Sequence, residues 1–298
     1  HAAGARDTIV FNSCAVTDEA VRQARQAVRR APRERPGADG VVTGCAAELE
    51  AERFADMGAR VVRNDVKGLT QSYRLPEKDG DSISSARTDL EDGVNPSPFA
   101  LSLSKGRSFY QPALSGADHA RTFLGVQTGC SHSCTFCATV MARGTARSAT
   151  VAAVVDAARI ALDRGQREII LTGVDLASYG DDSDTALATL VEALLALPDL
   201  ARLRLSSLDP HRIDDALFAL LTQESRVMPH VHLSLQAGDD MVLTRMKRRH
   251  RRGDAVALVA RLKAARPQIA IGADLIAGFP TEDESMFANS LALIDDCD

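Results

Sequence analysis

The segment Cys130-Ser-His-Ser-Cys134-Thr-Phe-Cys137 places three thiols within eight residues. Spacing that tight lets three thiolates meet on one compact metal centre. A structural zinc site takes four protein ligands, and so does an ordinary iron–sulfur cluster. No fourth cysteine follows nearby, and His132 is squeezed between two of the thiols, a poor position for the missing ligand. Three thiolates on a four-iron cluster leave one iron open to a small molecule. The count favours that chemistry over a zinc knuckle or buried structural cysteines. Outside the triplet, Cys14 and Cys45 each follow a short apolar run, and Cys297 stands alone near the last residue.

The triplet lies between the apolar run Thr122-Phe-Leu-Gly-Val126 and a basic, glycine-containing loop, Ala142 to Arg147. From Arg121 onward, short apolar runs alternate with helical patterns. Strands are expected at 122–127, 168–172, 201–205, 230–235 and 269–275, and helices at about 150–163, 185–196, 212–223, 254–265 and 282–296. Five such units, joined by right-handed crossovers, would curl into a parallel barrel or partial barrel. Each strand ends in something polar. After the cysteines come Leu171-Thr172-Gly173-Val-Asp175, Leu205-Ser-Ser207-Leu-Asp209, Leu233-Ser-Leu-Gln236 and Asp274 to Pro280. In a parallel barrel these ends converge on one mouth, where catalytic groups belong. Gly173 would let backbone approach a ligand closely, and Ser207, Asp209 and Gln236 offer donors and acceptors to an amino acid or a ribose.

The first 70 residues alternate in the same way. The run Asp7–Asn12 reads as a strand. A helix capped by Thr17 or Asp18 is expected to run to about Arg30 and to be closed by Pro32. A second strand ends at Gly44, a helix follows to about Met57, and a third strand covers Ala59–Val62. This is the pattern of a small parallel α/β domain, with Cys14 and Cys45 just past the C-terminal ends of two strands. Residues 71–120 are charged and Ser/Gly/Pro-rich and read as an inter-domain linker, with an insertion at 96–110 to which no chemistry attaches. The chain therefore divides into 1–70, 71–120 and 121–298.

At 298 residues, length fits about two domains, and 45% hydrophobic content supports a sizeable core. A formal net charge of −5 excludes a polybasic nucleic-acid binder, so any such contact must be local. Two local candidates exist: the face bearing Arg22, Arg25 and Arg29, and the run Arg245 to Arg252 with Arg248 and Arg249. Clustered arginines suit phosphate, although a solvated face is the bland reading of both. Six cysteines make no secreted disulfide framework and fit a reducing cytosol. No apolar run reaches the roughly 18 residues of a membrane span, and no signal peptide is visible. His211 and His230 read as structural, and Met141 and Met246 as packing. The chain opens on His1 rather than Met, which suggests a piece of a longer protein.

Together these motifs resemble the radical S-adenosylmethionine (SAM) methylthiotransferases over nearly all of the chain outside the linker. The resemblance rests on Asn12-Ser-Cys14-Ala-Val-Thr17, Thr43-Gly-Cys45-Ala-Ala47, Cys134-Thr-Phe-Cys137, Ala-Arg-Gly144, Arg147-Ser148, Leu-Thr-Gly173, Leu-Ser-Ser207, Ser-Leu-Gln236 and Gly-Phe-Pro280. Cys-Ala-Val-Thr followed by an arginine-rich helix looks most like the branch acting on threonylcarbamoyl-modified adenosine in tRNA. The alternatives are the branches for isopentenyl-adenosine or a ribosomal-protein aspartate, or a catalytically incomplete iron–sulfur fragment. Two departures stand out: Ala138-Thr-Val140 where the family has Ile-Ile-Pro, and Asp209 where it often has Glu.

The resemblance implies two 4Fe–4S clusters. Cys130, Cys134 and Cys137 would hold one, with Phe136, Thr172, Gly173, Asp175, Ser207, Asp209 and Gln236 around the SAM it binds. Cys14 and Cys45 would be two of three ligands of the second, the other lying upstream of His1. A C-terminal RNA-binding TRAM domain would follow this chain. The first cluster would cleave SAM to a 5′-deoxyadenosyl radical that takes hydrogen from carbon 2 of adenine, and the second would donate sulfur. Implied partners are a tRNA anticodon loop and an electron donor such as flavodoxin or ferredoxin, in the cytoplasm and with no membrane.

Overall fold

The computed structural model describes residues 8–15, 17–63, 112–115 and 120–298. They fall into two compact units: 8–63 with Ala138–Gly144, and 112–137 with Thr145–Asp298. Most of the expected linker, including the 96–110 insertion, lies outside the described residues.

The first unit opens with β1 (Thr8–Ser13), α1 (Asp18–Glu34) and β2 (Asp39–Gly44). The short helices α2 (Cys45–Leu49) and α3 (Ala51–Asp56) follow, and then β3 (Arg60–Val61). The strands form a parallel sheet in the order β1-β2-β3. Thr17 caps α1, its hydroxyl accepting from Ala20 N at 3.1 Å. Val21, Ala24, Val28 and Ala31 form one stripe along α1; Val28 packs on Val42 and Phe54, with Val21 and Ala24 against the same cluster. Two expectations change here. The helix runs through Pro32 to Glu34, because a proline in the last turn removes only one ladder bond. The helix after Cys45 is broken at Glu50, whose φ −125°, ψ 39° are not helical.

The second unit starts with β4 (Ala113–Ser115), antiparallel to β5 (Arg121–Thr128) and lying in residues expected to be linker. After the cysteine loop comes α4 (Thr139–Arg143), whose residues group with the first unit, and then β6 (Arg147–Ser148), which pairs with β5. The regular alternation follows: α5 (Val151–Asp163), β7 (Glu168–Gly173), α6 (Leu187–Leu195), β8 (Arg202–Leu205), α7 (Asp215–Gln223), β9 (His230–Gln236), α8 (Asp240–Arg245), α9 (Arg252–Ala265), β10 (Ala270–Leu275) and α10 (Glu284–Cys297). All five expected strands are present.

Parallel ladders join β5 to β7, β7 to β8 and β9 to β10. Between β8 and β9 the connection thins to parallel bridges, Leu203 to Val227 and Leu208 to Leu233. Strands that neighbour one another in chain order, each pair separated by a helix, are the winding of a (β/α) barrel left open. One face of this sheet packs on the helices: Leu124, Val126, Ile169, Leu171, Leu203, Leu205, Leu233 and Leu235 meet Val154, Leu190, Leu217 and Leu258 in one cluster. Since side chains alternate along a strand, the other face takes the intervening residues.

Candidate metal and cofactor site

β5 delivers the cysteine loop, and a buried glutamine at its end holds that loop. Gln127 is 2% exposed. Its amide nitrogen donates to the carbonyls of Thr128, at 3.2 Å, and Gly129, at 2.9 Å, while its Oε1 accepts from Asp175 N at 2.9 Å. One side chain thus splints the loop after β5 to the loop after β7. Further along, Thr135 N donates to Met246 O at 3.2 Å and Thr135 Oγ1 to Arg245 O at 2.9 Å. Ser131 Oγ accepts from Ala146 N at 3.3 Å.

Cys130 is the inner thiol. Its sulfur lies 3.5 Å from Asp175 Oδ2, to which it donates, and accepts from His132 N at 3.3 Å. Burial, then the Asp175 carboxylate, then Cys134 and Cys137 push this thiol up to about 12. Asp175 also accepts from Ser178 Oγ at 2.6 Å and stands 3.7 Å from His132 Nε2. Cys134 receives Arg248 Nη1 at 3.7 Å, and Cys137 and Phe136 are exposed on the rim.

The donor chemistry fits a polynuclear iron centre. Three thiols on one loop, the inner one held beside a carboxylate, supply the thiolate donors that iron–sulfur clusters take. Among the described residues no group of three His, Cys, Asp or Glu is arranged to hold a single metal ion.

Around the loop, the expected residues divide. Thr172 is half-buried and Ser207 exposed at their strand ends. Gln236 closes β9 in the left-handed region, φ 71°, with its carbonyl accepting from Ile276 N at 2.8 Å. At Gly173 a Cβ would meet Gln127 Oε1 at 2.9 Å, so the glycine leaves Gln127 room to pack. Asp209 is 6% exposed and turned inward. Its Oδ1 accepts from His211 N at 3.0 Å and its Oδ2 from Arg248 Nη2 at 2.9 Å, so it serves a cap and an ion pair.

Arg248 corrects the expected RNA face. Its side chain is only 8% exposed, and besides Asp209 and Cys134 it donates to Ser234 O at 2.7 Å. A buried, paired guanidinium cannot reach a phosphate backbone. Arg249 beside it is exposed, whereas Arg252 pairs with Asp296 at 2.5 Å. On α1, Arg22 pairs with Glu19 at 2.6 Å and Arg25 with Glu50 at 3.7 Å, while Arg29 is exposed.

The first unit places its two cysteines side by side. Ser13 pairs in register with Gly44, so the residues that follow, Cys14 and Cys45, leave neighbouring strands at the same level. Ser13 Oγ fixes that edge, donating to Thr43 O at 2.7 Å and accepting from Ala47 N at 2.9 Å. Within the same unit Arg143 Nε reaches Cys45 Sγ at 3.2 Å. Two thiols are part of a donor set and not a complete one. Cys297 lies partly buried in an apolar groove with Leu275 and Leu293.

Sequence reading missed Gln127 and the inward turn of Arg248, and it saw Arg143 only as part of a basic loop and an Ala-Arg-Gly144 match. The signal for Gln127 was faint, a glutamine ending an apolar run.

Comparison with known proteins agrees with this geometry. Residues 124–294 match the radical SAM superfamily, and residues 1–62 match a family described as uncharacterized protein family UPF0004. The threonylcarbamoyladenosine tRNA methylthiotransferase MtaB of Rickettsia prowazekii is 38% identical over 98% of the chain, which spans 66% of that relative. The tRNA-2-methylthio-N(6)-dimethylallyladenosine synthase of Novosphingobium aromaticivorans is 34% identical over 97% of the chain, which spans 64% of it. Among solved structures, the radical S-adenosylmethionine methyltransferase TsrM of Kitasatospora setae superposes with a TM-score of 0.66 at 15% identity. It covers 98% of the chain and 60% of that structure, a likeness of fold.

Proposed function

Because the chain belongs to the radical SAM superfamily, we propose that it is the catalytic part of a tRNA methylthiotransferase acting on carbon 2 of threonylcarbamoyl-modified adenosine. The observation that carries this reading is the three-thiol loop hung from the end of the first parallel strand by Gln127. The MtaB relative, alike over 98% of the chain, supports the substrate.

Carbon 2 of adenine has no acid–base chemistry to exploit at neutral pH, so the hard step belongs to a cofactor. Cys130, Cys134 and Cys137 would hold a 4Fe–4S cluster which, when bound, supplies the electron for reductive cleavage of SAM. Phe136 on the rim, with Thr172, Ser207 and Gln236 at the strand ends, would position SAM and exclude water. Asp175 would orient Cys130 through the contact described above, and Arg248 would hold Cys134. In the first unit, Cys14 and Cys45 would contribute to a second, sulfur-donating cluster, with Arg143 offering its N–H to the Cys45 sulfur. The exposed Arg29 and Arg249, with Arg22 and Arg25, would meet the phosphates of a tRNA whose anticodon loop can splay its target base. A flavodoxin- or ferredoxin-like reductant in the cytoplasm would complete the system. No described helix is long and apolar enough to cross a membrane.

The test is made on anaerobically purified protein. Iron and sulfide content, 5′-deoxyadenosine release after dithionite reduction, and methylthiolated nucleoside in a tRNA digest are measured for the wild type and Cys134→Ala. The substitution is expected to abolish 5′-deoxyadenosine release; unchanged release would sink the assignment.

A further inference from the structure

A parallel sheet covered on both faces reads as unbroken apolar runs, and the inside of a closed barrel is filled with branched aliphatic side chains. This sheet does neither on the face turned away from the helices. On that face β7 carries Glu168 and Ile170, β8 carries Arg202 and Arg204, and β9 carries His230 and His232. Arg204 Nε donates to Glu168 Oε1 at 2.6 Å, and Arg202 lies 3.8 Å from the same carboxylate, so one anion serves two guanidiniums. The histidines add ring nitrogens rather than charge: burial and the nearby Arg204 and His232 hold His230 below its usual range, which favours its neutral form. Gly272 on β10 leaves room beside both rings, where a Cβ would stand 3.2 Å from His232 Nδ1 and 3.5 Å from His230 Nε2.

The register supplies a second observation. Phe123 pairs with Ile170, and Ile170 with Arg204, so an aromatic ring, an aliphatic chain and a guanidinium lie level across three strands. Phe123 is 41% exposed and Arg204 is 38% exposed. β5 and β8 are two strand spacings apart, on the order of 9–10 Å, about the span of a purine with a carbamoyl-amino-acid arm. The two tRNA-modifying relatives differ in this arm: threonylcarbamoyl ends in a carboxylate, while dimethylallyl is an uncharged hydrocarbon.

We propose that this face reads the modified base, Phe123 offering a surface to the adenine and Arg204 receiving the carboxylate of the threonylcarbamoyl arm. The assignment rests on the function proposed above and makes Arg204 its specificity-determining residue. A charge-assisted hydrogen bond of this kind corresponds to roughly ten- to a hundred-fold in affinity.

Binding of anticodon stem-loop RNAs bearing threonylcarbamoyladenosine, dimethylallyladenosine or plain adenosine is measured with the cluster-loaded protein. The wild type is expected to prefer the first over the other two by at least about ten-fold. Arg204→Gln is expected to bring the ratio to within about two-fold, and Arg204→Lys, which keeps the charge, to retain most of it. A wild type that discriminates, with Arg204→Gln discriminating equally, overturns the proposal and leaves the substrate reading standing. A wild type without preference overturns both. Loss of SAM binding by Arg204→Gln in the absence of RNA assigns the cation to the cofactor's carboxylate and also overturns the proposal.

Discussion

Replacing Arg248 by Met strands a buried carboxylate. Arg248 and Asp209 have side chains 8% and 6% exposed and meet at 2.9 Å. Removing one member of a buried pair costs about 3–5 kcal/mol, because the charge left behind has lost both water and its partner. Arg248→Met also removes the bond to Ser234 O at 2.7 Å, leaving that carbonyl short of a donor. The stranded charge, more than the lost contacts, sets this cost, and a second substitution separates them. Asn in place of Asp209 keeps an acceptor for His211 N, now at 3.0 Å, but carries no charge. The double variant Arg248→Met/Asp209→Asn is therefore expected to recover about 2 kcal/mol of the loss, a coupling within the usual range for residues in contact. Urea unfolding of the ligand-free protein, followed by circular dichroism, measures both. An Arg248→Met variant within about 1 kcal/mol of wild type, or a double variant no more stable than the single, refutes this account.

Two other outcomes follow from the geometry. Gly44 holds φ 99°, and a Cβ there would sit 2.2 Å from Ser13 O, so Gly44→Ala is expected to destabilise the first unit by more than about 1 kcal/mol. Its unfolding midpoint in urea should drop while the transition of the second unit stays in place. His250 is 2% exposed, and burial followed by the nearby Arg248 holds it below its ordinary value of 6.5. Its neutral form is the one that folds, so the unfolded chain takes up a proton first and stability falls as pH drops below 6.5. Urea midpoints between about pH 5 and 8 should show an acid limb that His250→Gln flattens; an unchanged slope would contradict the sign.

The architecture was largely written in local patterns. Runs such as Glu168–Gly173, with three apolar residues together, and His230–Gln236, apolar on alternate positions, are short and bounded by helical periodicity, which leaves little choice but parallel strands. The cysteine triplet was equally plain, because ligand spacing is a local property. What escaped was set by tertiary contact. Nothing local says that Arg248, inside the run Arg245 to Arg252, turns inward to a carboxylate 39 residues earlier. Pro32 looked like a stop, yet a helix in its final turn tolerates one missing bond. The three residues of β4 are too few to stand out from polar surroundings, and only their pairing with Phe123–Gly125 makes them a strand. Gln127 reads as an ordinary strand end until Asp175, 48 residues later, is seen to donate to it.

That glutamine bears on how the protein would age. In a zinc finger the metal gathers its ligands, so losing the ion means unfolding. Here the loop from Gly129 to Thr135 keeps its course through amide and hydroxyl bonds to Gln127, Arg245 and Met246 that need no metal. Damage to an oxygen-labile centre is then a local injury. The fold would then outlive a cluster lost from it, and the loop would stay in place to take up another.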